Sequence, residues 1–283
     1  MSKSRQLNIP DLLERLIAWQ EEIAHEVPYL ETPTGYFLNF DETDNGGYTC
    51  SPVDSIVFAR TGYDGIHYSL LTDFGRVTNL SEAPVICVSP MDFGHCVRIV
   101  AENIKDFFAL SLFGHDTFLL IDFPTKEAYM QHLREQQELK STPYFDAELW
   151  TRQKKLVQEK AASAFSFPPI EDPFDYVQKV RAKRSANIVL RTSDSLGVVP
   201  WNRTAEARQH VPHPWFREEI PECDLEQIEA FLNAAELETI LAFIRDCQEQ
   251  AVSKKGLIHL IHQQLLKRGF TAEAKCWLNS MLL

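Results

Sequence analysis

A chain of 283 residues is larger than one hydrophobic core comfortably serves, so two units, or one domain with a large appendage, are expected. Its composition, 45% hydrophobic, 11% aromatic and 24% charged, lies near the soluble globular average and argues against disorder. The formal net charge is −12, with 21 acidic against 10 basic residues in positions 1–140; this disfavours nucleic-acid binding and favours a basic protein partner.

In chain order, the opening "MSKSRQLNIPDLLERL" has neither an apolar run nor a small-residue cleavage site, so it does not read as a signal peptide. No window approaches the roughly 18 apolar residues that a membrane span needs, and a cytoplasmic protein is expected. The first element is a helix over "IPDLLERLIAWQEEIAHE", with Leu12, Leu13, Leu16, Ile17 and Ile23 at helical spacing. Asp11 and Glu14 resemble a capping box, and Pro10 suits a first turn. "DETDNGG" follows as a solvated loop in which Asn45, Gly46 and Gly47 allow a tight reversal.

"SPVDSIVFARTGYDGIHYSLLTDFG" is the densest pattern in the chain. Val53 to Arg60 alternates, with Ile56 and Phe58 on one face and Val57 and Ala59 on the other. Gly62, Asp64 and Gly65 mark a turn, and "IHYSLLTDF" completes an antiparallel hairpin. "APVICVSPM" reads as a strand buried on both faces, "HCVRIVA" as a further strand and "ENIKDFFALSLF" as a helix. "GHDTFLLIDF" fits a short strand or a helix. Two polar amphipathic helices are predicted from "TKEAYMQHLREQQELK" and "YFDAELWTRQKKLVQEKAASAF", and the prolines of "SFPPIEDPFD" suggest a boundary.

"SANIVLRTS" is a strand candidate, and "VPHPWF" is a proline-stiffened segment of the kind that drapes over a partner. From Asp224 a helical bundle is expected. Asn233 and Glu236 point to two helices meeting, and Gly269 to a C-cap. The resulting division is an α+β domain over 1–140, a helical and proline-rich connecting region over 141–220, and a helical region over 221–283. The sheet is expected to be antiparallel or mixed, packed by helices.

Few residues point to chemistry. The six cysteines show no C-x-x-C pair, so reduced and mostly buried thiols are expected, without a disulfide framework. His259 and His262 share a helix face but lack companion ligands, and Glu22 with His25 lacks the second copy that a di-iron bundle requires. Adjacent His95 and Cys96 point to opposite faces of a strand. Neither phosphate-cradling glycine loops nor a G-x-S-x-G elbow occurs, and the "DFG" at Asp73 stands without the other kinase motifs. No metal, cofactor or catalytic residue is therefore predicted.

Asp41, Glu42, Asp44, Tyr63, Asp64, Asp73 and Asp92 lie near predicted turns and form the candidate partner-binding set.

"SIVFARTGYDGIHYSLL", "APVICVSPMD" and "VRIVAENIKDFFALSL", after an N-terminal helix, resemble the layout of the SMI1/KNR4 family, the SUKH superfamily, over about residues 10–115. The resemblance implies an α+β binding module with no catalytic role, and many bacterial members are immunity proteins that neutralise secreted toxins, often nucleases. A non-enzymatic, cytoplasmic module for a basic, toxin-like protein is the expectation. The alternatives are a scaffold docking through the helical C-terminal region and an enzyme assembled around His67, Cys96 and Asp92.

Overall fold

The computed structural model describes residues 7–115, 119–136, 141–201 and 210–282. Helix α1 (Asp11–Ile23) begins after Pro10, whose carbonyl accepts from the amides of Leu13 and Glu14. Asp11 forms no capping box: it lies in the first turn, where with Glu14 it complements the helix dipole. The helix buries Leu13, Leu16, Trp19 and Ile23.

Five strands follow: β1 (Phe37–Leu38), β2 (Ser55–Arg60), β3 (His67–Leu71), β4 (Val85–Val88) and β5 (Val97–Ala101). They form an antiparallel meander in chain order. A register shift between Val57 and Ala59 alters the predicted alternation of β2. The extra residue lets Ala59 pair with Tyr68 and join Ile56 and Phe58 in the same core, leaving Val57 opposite Ser69.

Both faces of this sheet are covered. On one, Phe58, Tyr68 and Leu70 pack with α1 and with Phe107 and Phe108 of α2 (Ile104–Leu110). Phe107 lies 5.1 Å from Phe58 and 4.8 Å from Tyr68 between ring centroids. Each such ring contributes roughly 1.5–3 kcal/mol by burial alone. Asn103 caps α2 by accepting from the Asp106 amide at 2.9 Å.

Helix α3 (Lys126–Gln136) follows; residues 116–118 of the "GHDTFLLIDF" segment before it lie outside the described residues, as do 137–140 at the end of the predicted "TKEAYMQHLREQQELK" helix. Helix α4 (Ala147–Ala164) inserts Val157 and Ala161 into the first core. Helix α5 (Pro173–Asn187) lies on the opposite face, where Val180 meets Leu71, Ile86, Val88, Val97 and Ile99. Two helices of the predicted connecting region, α4 and α5, thus pack on the sheet. Among the prolines of the predicted boundary, Pro173 starts α5, with Asp172 accepting from the Asp175 amide at 3.0 Å.

"SANIVLRTS" forms only an isolated bridge, Leu190 to Val198. "VPHPWF" drapes over the protein's own bundle: His213 and Trp215 are buried, and Trp215 packs on Phe231 and Phe243. The bundle comprises α6 (Leu225–Ala234), α7 (Leu237–Glu249), α8 (Lys255–Lys267) and α9 (Thr271–Met281). α6 and α7 meet at Ala235 and Glu236, and Gly269 follows α8 with φ +86°.

Helix α7 joins the two cores and is buried from Thr239 through Gln248. Arg245 binds Asp54 at 2.6 Å and Asp194 at 3.2 Å, all three being buried. Asp246 accepts from the Ser193 amide at 2.7 Å and meets His213 Nε2 at 2.8 Å. Gln248 accepts from the Val53 amide at 3.1 Å and donates to the carbonyls of Thr49 and Ser51. Burial raises Asp54 to about 6 against the pull of Arg245, while Arg245 is held protonated because its carboxylates outweigh its own burial.

Glu273, in the first turn of α9, is buried without an ion-pair partner among the described residues, and burial raises its pKa to about 7. The folded state thus holds this proton more tightly than the unfolded chain. Its contribution is full below the ordinary glutamate value of 4.5 and is lost as pH rises through 7. Glu273→Gln is expected to match the wild type in stability at pH 4.5 and to exceed it by about 3 kcal/mol at pH 8. Urea denaturation at the two pH values measures this difference.

Candidate protein-docking surface

The bundle covers one end of the sheet, where Asp54, Asp73 and Phe74 follow or precede strands. The β2–β3 turn (61–66) and the β4–β5 turn (89–96) stand at the other end. In the first, Gly62, Asp64 and Gly65 all adopt left-handed φ, and the Thr61 amide donates to the Ile66 carbonyl at 3.1 Å. A Cβ at Gly65 would collide with the Tyr48 ring, so glycine is needed there for both conformation and approach.

The second turn is held by its own backbone. The Ser89 amide donates to the Cys96 carbonyl at 2.8 Å, the Asp92 amide to the Ser89 carbonyl at 3.0 Å, and the His95 amide to the Asp92 carbonyl at 2.8 Å. This frame holds Met91 and Phe93 out in solvent, 64% and 82% exposed. Together with Ile121, Asp64 and Asp122 they border an open groove of about 620 Å³. An apolar pair displayed on a rigid turn beside carboxylates is suited to anchoring a protein with a basic rim.

The predicted acidic residues divide. Asp64 and Asp92 lie on the groove, with Asp92 also bound to Arg98 at 3.2 Å; Tyr63 is exposed on the adjoining turn. Asp44 is half-buried, paired with Arg60 at 2.6 Å and accepting from the Gly46 amide. Asp41 and Glu42 are exposed on the loop before β2, away from the groove. Asp41 accepts from the Thr43 amide and hydroxyl, which lower its pKa, and Glu42 accepts from the Leu7 amide. Asp73 is the correction: it is buried at the opposite end of the sheet, held by both Arg184 guanidinium nitrogens at 2.7 Å, and presents nothing to a partner.

The groups considered for catalysis are quiet. His67 donates from Nδ1 to the Gly65 carbonyl at 2.8 Å and accepts at Nε2 from Ser51 at 3.3 Å, and burial lowers its pKa. Burial raises the Cys50 thiol to about 12, its neighbour Cys96 adding to the shift, and burial raises Cys96 as well. Neither forms a thiolate readily at neutral pH. Among the described residues, no group of three or more His, Cys, Asp or Glu side chains is arranged for a metal ion, and no helix is long and apolar enough to cross a membrane.

The sequence reading chose Asp92 and passed over its neighbours Met91 and Phe93. The available signal was an apolar pair inside "SPMDFGH", between Pro90 and Gly94, where turn chemistry ordinarily places polar residues. Comparison with known proteins finds no match: no family model, curated protein or solved structure aligns with this chain.

Proposed function

We propose that this chain is a non-enzymatic protein-binding module that docks a basic protein through the sheet end built by the 61–66 and 89–96 turns. The exposure of Phe93 and Met91 on a hydrogen-bonded turn carries the reading. A flexible loop would fold such side chains inward, whereas this frame keeps them available at little ordering cost on binding. The net charge of −12 supplies long-range attraction for a basic partner.

The α+β class of the fold supports the SMI1/KNR4 reading of about residues 10–115. On that reading the module is a cytoplasmic immunity protein and its partner a secreted toxin.

The test is affinity capture of the tagged full chain from its host at low and high salt, followed by mass spectrometry. One basic protein, retained at low salt and depleted as salt rises, is the expected result. A captured partner that is acidic, or capture insensitive to salt, contradicts the electrostatic part of the reading. Turnover of a small molecule by the purified protein contradicts the non-enzymatic part.

A further inference from the structure

A second cavity, of about 510 Å³, opens beside β5 and α5 and differs in charge from the rest of the molecule. Five arginines line it: Arg98, Arg181, Arg184, Arg191 and Arg217. Asp122 is the one carboxylate of the lining, in a chain whose net charge is −12.

Three of these arginines are held in place by protein groups. Arg181 donates to the Ile99 carbonyl at 3.2 Å and to Asp122 at 2.8 Å. Arg184 donates to Asp73 twice and to the carbonyls of Leu196 and Gly197. Arg98 donates to Asp92 and to the Leu120 carbonyl; it is 8% exposed, and its buried Nε has no hydrogen-bond partner among the described residues. Arg191 and Arg217 are exposed at the cavity and have no ion-pair partner among the described residues. Arg217 holds a left-handed φ of +67° with its guanidinium 5.2 Å from the Phe216 ring centroid.

The wall that carries Arg191 is also fixed. The Gly197 amide donates to Thr192 at 2.7 Å, the Ser193 amide to Asp246, and Asp194 is tied to Arg245. The result is a concave, preorganised site in which three arginines are neutralised by protein carboxylates and two are not.

We propose that this cavity binds the phosphate group of a small phosphorylated molecule. The guanidinium fork matches phosphate oxygens bidentately, and two uncompensated arginines match the charge of a phosphate dianion. The volume falls in the range of small-molecule sites. A nucleic acid is a poor occupant, because the surrounding acidic surface repels an extended polyanion while a compact one fits inside the basic cavity.

Calorimetric titration of the full chain with inorganic phosphate, pyrophosphate, ATP and citrate at fixed ionic strength tests the assignment. At least one of the three phosphate compounds is expected to bind, more tightly than citrate. In Arg191→Gln/Arg217→Gln its affinity should fall about tenfold or more, with the unfolding temperature of the free protein unchanged because both side chains are exposed. Three outcomes each overturn the proposal: no binding of any phosphate compound at millimolar concentration, citrate binding as tightly as the best of them, or unaltered affinity in the double variant. No protein partner enters the experiment, so its result is independent of the docking surface.

Discussion

Arg245→Met is expected to lower the stability of the protein by about 3–5 kcal/mol. Arg245, on the bundle, is 1% exposed and at the junction with the sheet holds two buried carboxylates, Asp54 beside β2 and Asp194 in the loop closed by the Leu190–Val198 bridge. It also lies 5.2 Å from the Phe74 ring centroid. Methionine fills much of the same volume, so the loss is chiefly that of leaving the carboxylates buried without a cation. Asp54, already pushed up to about 6, would take a proton, which limits the loss at low pH.

The triple variant Arg245→Met/Asp54→Asn/Asp194→Asn should recover a large part of the stability, because no buried charge remains unpaired. Urea denaturation of the three proteins measures both effects. A loss below about 1 kcal/mol for the single variant would show that the junction does not depend on this cluster.

Met91→Ala/Phe93→Ala is expected to weaken partner binding by about 100-fold or more, the range of a central anchor pair at an interface. Both side chains are mostly solvent-exposed, so folding stability should change by no more than about 0.5 kcal/mol. The turn itself is held by backbone bonds that neither substitution touches. Affinity measured against the captured partner, with thermal unfolding as control, separates a lost contact from a lost fold. Unchanged affinity in this variant would place the interface elsewhere.

The α+β fold was readable because its signals are local. The spacing of Leu13, Leu16 and Ile23, the glycines after Arg60, and the apolar run from Val85 to Val88 each report on one element. The β2–β3 hairpin was readable from its short turn, whereas the sheet as a whole, expected to be antiparallel or mixed, is antiparallel throughout. What escaped depends on long-range partners. α4 reads as an ordinary polar helix and α5 does not read as a helix at all; their narrow apolar stripes, Val157 with Ala161 and Val180, gain meaning only when the sheet supplies a face to each.

The site was less readable. Asp73 resembles any acidic turn residue, and its burial follows from Arg184, 111 positions later. Arg245, Asp246 and Gln248 form a polar run that, on an isolated helix, reads as a solvated face; here it is the hydrogen-bonded seam between two cores. Asp64 and Asp92 come together at the groove because the turns between neighbouring strands stand at one sheet end.

The most direct test of the docking surface is hydrogen exchange of the full chain, alone and with its captured partner. Slowed exchange in the 61–66 and 89–96 turns, with α6 to α9 unchanged, is the predicted result. Protection confined to the helices of 225–281, with both turns exchanging as in the free protein, would contradict it and assign binding to the C-terminal bundle.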